Sequence, residues 1–174
     1  MPAPEVVRKL TAPDEGREHR QLHVIDTEGR IGQHTGTQCV EWCGAIKGDG
    51  FSVAGNMLAN GRVIRDTAAA YDQNRRLPFP ERLMKALEAG EAAGGDKRGK
   101  QSAALLVFSA EDYADLNLRV DDHVDPLAEL RRLYDKAHER FLPYLKCSPS
   151  KARPWGITDR AVLEEEIAKY KKPA

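Results

Sequence analysis

The chain has 174 residues, long enough for one domain with a real core. Its 27 basic and 27 acidic residues cancel, and with only 6% aromatics it has neither the surplus of cations nor the stacking rings of a nucleic-acid surface. No apolar run approaches the ~20 residues that span a bilayer, and no charged start followed by an apolar segment marks a signal peptide. Neither nucleic acid nor membrane is therefore expected as a partner. The default location is cytoplasmic, unless an amino-terminal signal lies outside these residues.

In chain order, residues 1–10 read as the last turns of a helix. Pro4 suits the first helical position, and Val6, Val7 and Leu10 share a face. A helix under ~12 residues is marginal alone. Residues 20–26 (apolar Leu22, Val24) read as a strand, Thr27-Glu28-Gly29 as a tight turn and residues 30–36 as the antiparallel partner. Residues 40–46 and 51–58 make a second pair around Lys47-Gly48-Asp49-Gly50. Val63, Ile64, Thr67, Ala68 and Tyr71 trace one helical stripe; Leu83, Met84 and Leu87 trace another, after Pro80 and before Gly94-Gly95. These two helices are expected to form one covering layer.

Residues 102–108 and 116–121 read as the last two strands, completing a sheet, the first apolar enough to be buried on both faces. Asp125 caps a helix with Pro126 at its start, and Leu127, Leu130, Tyr134, Ala137 and Phe141 keep one face apolar until Pro143. Residues 147–156 read as a loop. Thr158 opens a terminal helix with Val162, Leu163 and Ile167, ending in Lys169-Tyr170-Lys171-Lys172. The organisation expected is one domain over residues 1–146, with the loop and terminal helix of residues 147–174 packed on it or trailing from it.

The densest cluster of chemistry is Gly94-Gly95-Asp96-Lys97-Arg98-Gly99-Lys100-Gln101-Ser102, where three cations stand against one anion, a local +2 in a neutral protein. Glycines let backbone N–H groups approach a ligand, while Arg and Lys supply donors for a carboxylate or phosphate. The plainer reading is a solvated loop after a helix-ending Gly pair. Asp96 and Arg98 hold either each other or a substrate's charged end, and Lys100 would lower the pKa of a neighbouring amine. Asn56, beside Gly55, is a candidate hydrogen-bond donor to a substrate or oxyanion, or simply a turn residue. Ser102 lacks an adjacent base or a Gly-x-Ser-x-Gly elbow and is not expected to be a nucleophile, although it borders the candidate site. Of Asp121, Asp122 and His123, consecutive on an extended strand, at most Asp121 and His123 converge; helix capping and loop charge are the ordinary roles. Pro2, exposed by removal of Met1, lacks the following strand that a tautomerase base requires.

Cys39, Cys43 and Cys147 are odd in number, against a disulfide framework. His34 lies near Cys39 and Cys43, but no second Cys pair completes the four ligands of zinc. No metal or other cofactor is expected; the thiols read as core or edge-strand residues.

Together with Gly16-Arg17-Glu18-His19-Arg20-Gln21, Gly55-Asn56-Met57-Leu58-Ala59, Leu118-Arg119-Val120-Asp121-Asp122-His123 and residues 125–133, the glycine-rich cluster resembles the uncharacterised family named domain of unknown function 1028, over roughly residues 5 to 145. The resemblance implies an α+β fold of the N-terminal nucleophile (Ntn) hydrolase kind, a four-layer αββα sandwich with antiparallel sheets, and a free amino-terminal Thr, Ser or Cys as catalytic residue. The family's opening strand and nucleophile do not match at the start of this sequence. The sandwich is therefore expected to be incomplete there, Met1 being either an internal methionine of a longer frame or the start of a genuine truncation.

By resemblance the function is amide (C–N bond) hydrolysis on a small-molecule or peptide-like substrate, the given form being inactive because its nucleophile is absent. The substrate-binding candidates are Asn56, Asp96, Arg98, Lys100, Ser102, Asp121 and His123, and a homo-oligomer is expected. The alternative is a non-catalytic domain that binds a small anion or another subunit through residues 94–102.

Overall fold

The computed structural model describes residues 1–170, so Lys171 and Lys172 of the expected terminal helix lie outside the described residues. The chain divides into two compact units, Met1–Lys100 and Gln101–Ala174.

The first unit opens with α1 (Ala3–Thr11), a nine-residue helix with Pro4 in its first turn. It is held by docking, because Ala3 and Val7 are buried and the Ala3 amide donates to Asp26 Oδ2 at 2.9 Å. Strands β1 (Gln21–Ile25) and β2 (Ile31–Thr35) pair antiparallel, Gln21 opposite Thr35 and Ile25 opposite Ile31. Val24 and Gly32 lie across from each other on the face that meets α1. A Cβ on Gly32 would sit 2.5 Å from the Ala3 carbonyl oxygen and 2.7 Å from Val7 Cγ2, so this position admits only glycine if the helix is to lie so close.

Strands β3 (Gly44–Gly48) and β4 (Phe51–Gly55) form the second hairpin. Its turn is only Asp49-Gly50, with Gly50 at φ 69°, so β3 runs nearer the turn than the expected residues 40–46. Strand β4 likewise stops at Gly55, short of Leu58. Residues 57 and 58 pair elsewhere: the Met57 amide donates to the Val40 carbonyl, Trp42 and Leu58 exchange backbone bonds, and Leu58 bridges Asp96.

Helices α2 (Arg62–Gln73) and α3 (Phe79–Ala92) follow, α2 lying against β3 and β4 and α3 packing along α2. Phe51 meets the Tyr71 ring of α2 with centroids 4.7 Å apart, and Arg82 of α3 stands over that same ring. Val63, Ile64, Ala68, Met84 and Ala86 form the core here. Gly94 (φ 126°) and Gly95 (φ 55°) then end α3 in backbone conformations that side chains disfavour.

The second unit begins with β5 (Ala103–Val107) and β6 (Leu116–Val120), Leu105 opposite Leu118. They form a two-stranded sheet of their own, and β5 is not buried on both faces as expected. Leu105 and Val107 are buried, whereas Leu106 and Phe108 are each 55% exposed. Pairing and the helix α4 (Pro126–Glu139) cover one face only, giving the alternation of a half-buried hairpin. Asp125 caps α4 through the Ala128 amide, and Leu130, Tyr134 and Ala137 are buried.

The apolar stripe does not carry α4 through to Phe141. Pro143 would clash with the carbonyl four residues back and has no N–H, so the helix breaks at Arg140 and restarts as α5 (Phe141–Leu145), with the proline in its first turn. The last helix, α6 (Arg160–Tyr170), packs on α5 through buried Ile167, with Glu164 gripping both terminal nitrogens of Arg140 at 2.6 and 3.0 Å. Among the described residues no helix is long and apolar enough to cross a membrane.

Candidate functional site

Alternation along a strand sends successive side chains to opposite faces. Leu22, Val24 and Gly32 take the α1 face, which leaves Gln21, His23, Gln33 and Thr35 on the other. On the second hairpin Phe51 meets α2, leaving Ser52 and its cross-strand partner Lys47 on the opposite face. These two remaining faces meet, and the seam between them is polar.

Gln21 Nε2 lies 3.0 Å from the Gly44 carbonyl, 3.1 Å from that of Gly55 and 3.1 Å from Thr35 Oγ1. Gln33 Nε2 donates to the Ile46 carbonyl at 3.0 Å and to Ser52 Oγ at 2.8 Å. Ser52 Oγ is also 2.7 Å from His23 Nδ1. Polar atoms withdrawn between sheets need partners, and here side chains of one hairpin satisfy backbone and side chains of the other.

Asn56 is the one expected site residue that joins this seam, its amide nitrogen 3.4 Å from Gln21 Oε1. Asp96, Arg98 and Lys100 fall on the loop after α3, where every cation is engaged by the chain itself. Arg98 Nε and Nη2 bond the two Asp96 carboxylate oxygens at 3.0 and 2.6 Å, and the Arg98 amide adds a third bond at 2.8 Å. Those bonds hold the Asp96 carboxyl down at about 2, the Arg98 side chain being the main cause. Lys100 pairs with Glu91 at 3.4 Å, and Lys97 Nζ donates to the Glu41 carbonyl at 2.5 Å.

Ser102, Asp121 and His123 belong to the second unit. Ser102 is exposed immediately before β5. Asp121 pairs with Arg119 at 2.8 Å. The His123 amide donates to the Gln101 carbonyl, and its ring Nδ1 lies 3.0 Å from the Asp125 amide nitrogen. Asp122 accepts from Gln101 at 3.2 Å, so these three consecutive residues face different partners.

His34 Nε2 bonds the Arg17 carbonyl at 2.8 Å, and Cys43 Sγ points to the Cys39 carbonyl at 3.7 Å. Burial pushes the Cys43 thiol up, with help from Cys39 and Glu41, which makes it a poor thiolate. Among the described residues no group of three or more His, Cys, Asp or Glu is arranged to hold a metal ion.

Sequence reasoning missed Gln21, His23, Gln33 and Ser52. Their signal was present as alternation of polar with apolar residues along residues 20–26 and 30–36, but a polar strand face ordinarily means solvent.

Two antiparallel hairpins stacked through a polar seam, with a helix on each outer side, define a layered α+β domain. The chain belongs to DUF1028, a family of unknown function whose profile matches residues 1–130. It is similar to the crystal structure of protein SPO2555 from Silicibacter pomeroyi, also of DUF1028, with 32% identity and a TM-score of 0.80 over 91% of this chain and 69% of that one. No curated protein matches it.

Proposed function

We propose that this chain carries substrate-holding residues of an amide hydrolase of the Ntn kind. The observation that carries the reading is the layer order of the first unit: α1, then β1–β2, then β3–β4, then α2, with a polar seam between the two sheets. Helix, sheet, sheet, helix is the order that the family resemblance implies.

Amide hydrolysis of this kind needs a hydroxyl or thiol nucleophile, an α-amine as base, and donors for the oxyanion. The chain contributes donors. Asn56 is the best placed, because its 3.4 Å contact with Gln21 is long and is readily exchanged for a substrate oxygen. The substrate is a small molecule or peptide-like amide. The loop at residues 94–100 is less suited to capturing a free anion, since Arg98 and Lys100 already hold Asp96 and Glu91.

Amine release from a panel of N-acyl amino acids and short peptides tests the proposal, measured on the 174-residue chain and on a form extended upstream to a free amino-terminal Thr, Ser or Cys. Turnover by the extended form alone is expected, and Asn56→Ala lowers its kcat about 100-fold, the usual cost of losing an oxyanion donor. No turnover by the extended form sinks the reading. Turnover by the 174-residue chain itself overturns the need for an added amino-terminal Thr, Ser or Cys.

A further inference from the structure

We propose that Ser52 and His23 form a nucleophile and base pair in the inter-hairpin seam, able to take an acyl group from an activated ester, an activity separate from the amide chemistry above. The argument begins with Gln33. Its Nε2 is fixed as the nitrogen by the Ile46 carbonyl, which only accepts, so toward Ser52 Oγ that amide donates. Ser52 therefore accepts from Gln33 at 2.8 Å, and its own proton is best satisfied on the lone pair of His23 Nδ1, 2.7 Å away. A hydroxyl whose proton points at an imidazole is the arrangement by which general-base activation begins.

The second observation is the register. Lys47 stands directly opposite Ser52 across the β3–β4 ladder, and paired residues point to the same face with Cβ atoms about 5 Å apart. Lys47 has no carboxylate partner among the described residues. The register thus puts a cationic side chain on the face from which Ser52 projects, on the side where charge develops on an acyl oxygen. His23 is exposed and Ser52 is half-buried, so an ester reaches the pair from solvent.

In the step proposed, Ser52 Oγ attacks the ester carbonyl carbon, the Oγ–C bond forms and the bond to the leaving oxygen breaks. The Oγ proton passes to His23 Nδ1 and from there to the departing alkoxide or phenoxide. Water then cleaves the acyl–serine, releasing a carboxylic acid and restoring the hydroxyl. Activated esters are the substrates proposed because their carbonyl carbon is more electrophilic and their leaving oxygen less basic than an amide's, so the single base His23 suffices for them.

A fluorophosphonate, in which Oγ–P formation expels fluoride, is the probe. The 174-residue chain is treated in buffer and, in parallel, in denaturing urea, and the adduct is mapped by peptide mass spectrometry. One adduct per chain is expected, on Ser52, in the native sample alone. Ser52→Ala abolishes it, and His23→Gln slows it about 100-fold, the typical worth of a general base. An adduct on another residue, equal labelling in urea, or an unchanged rate in a folded His23→Gln chain overturns the proposal. If either substituted chain loses its circular dichroism, the comparison of native with denatured unsubstituted chain decides alone. Amide turnover by an upstream-extended form has no bearing on this result, so the two proposals fail independently.

Discussion

At the scale of single residues, the chain binds its own charges before it offers them to a ligand. Asp26 shows this most fully. It accepts from the Ala3, Glu28 and Arg30 amides at 2.9 to 3.0 Å and from Arg30 Nε at 2.8 Å, and the Arg30 side chain leads in holding its carboxyl well below the usual range. Asp96 repeats the pattern with Arg98, which allows a prediction with a definite sign. A carboxyl depressed on folding adds stability above its unfolded value of ~3.9 and loses it as the pH falls through its folded value. For Asp96 that window runs down to about 2. In Arg98→Ala the guanidinium bonds disappear but the backbone amide bond remains, so the Asp96 carboxyl rises partway toward ~3.9 and the acid window narrows. Carbon-detected NMR titration of Asp96 reads the shift directly, and an unmoved midpoint refutes the assignment of Arg98 as its main cause. The effect on neutral-pH stability is small, because the Arg98 side chain is 65% exposed and screened by solvent.

Elements show where the sequence was legible and where it was not. Both ends of β1–β2 fall within a residue or two of expectation, because a Gly29 turn between two alternating segments is a local signal. The slide of β3 to Gly44–Gly48 was not readable, since it depends on Val40 and Trp42 pairing with residues 57 and 58 instead of continuing the strand. Long-range pairing leaves no mark in a local pattern. The stacking of hairpin on hairpin was hidden for the same reason: Gln21 and Gln33 look like solvent-facing residues until a second sheet arrives to take their hydrogen bonds. Asn56 stands beside Gly55 in the sequence, yet its place in the seam comes from Gln21, 35 residues away. Gln21 thus shares with Gln33 and the His23–Ser52 contact the task of joining the two hairpins. Gln21→Ala removes the bonds from Gln21 Nε2 to the Gly44 and Gly55 carbonyls and is expected to cost about 1–3 kcal/mol in urea unfolding. Asn56→Ala, which loses only a 3.4 Å contact, costs less. Equal losses would mean that the seam is held by something other than Gln21.

On the scale of the whole molecule, charge and sheet architecture both favour self-association. The described sheets are three separate two-stranded hairpins, and a strand with an unpaired side exposes backbone donors and acceptors to a neighbouring chain. Net charge gives no long-range repulsion to oppose such encounters, since 27 cations meet 27 anions. Leu106 and Phe108 add large apolar side chains to the outward face of β5. Lysine on an exposed strand blocks edge association by charge and hydration while its stem still lies along the sheet. Leu106→Lys is therefore expected to lower the apparent mass of the 174-residue chain in concentration-dependent light scattering and to leave its melting temperature nearly unchanged, because Leu106 contributes little buried area. An unsubstituted chain that is already monomeric at high concentration removes the premise. A substituted chain that associates as before moves the contact away from β5, to the edges of the first two hairpins.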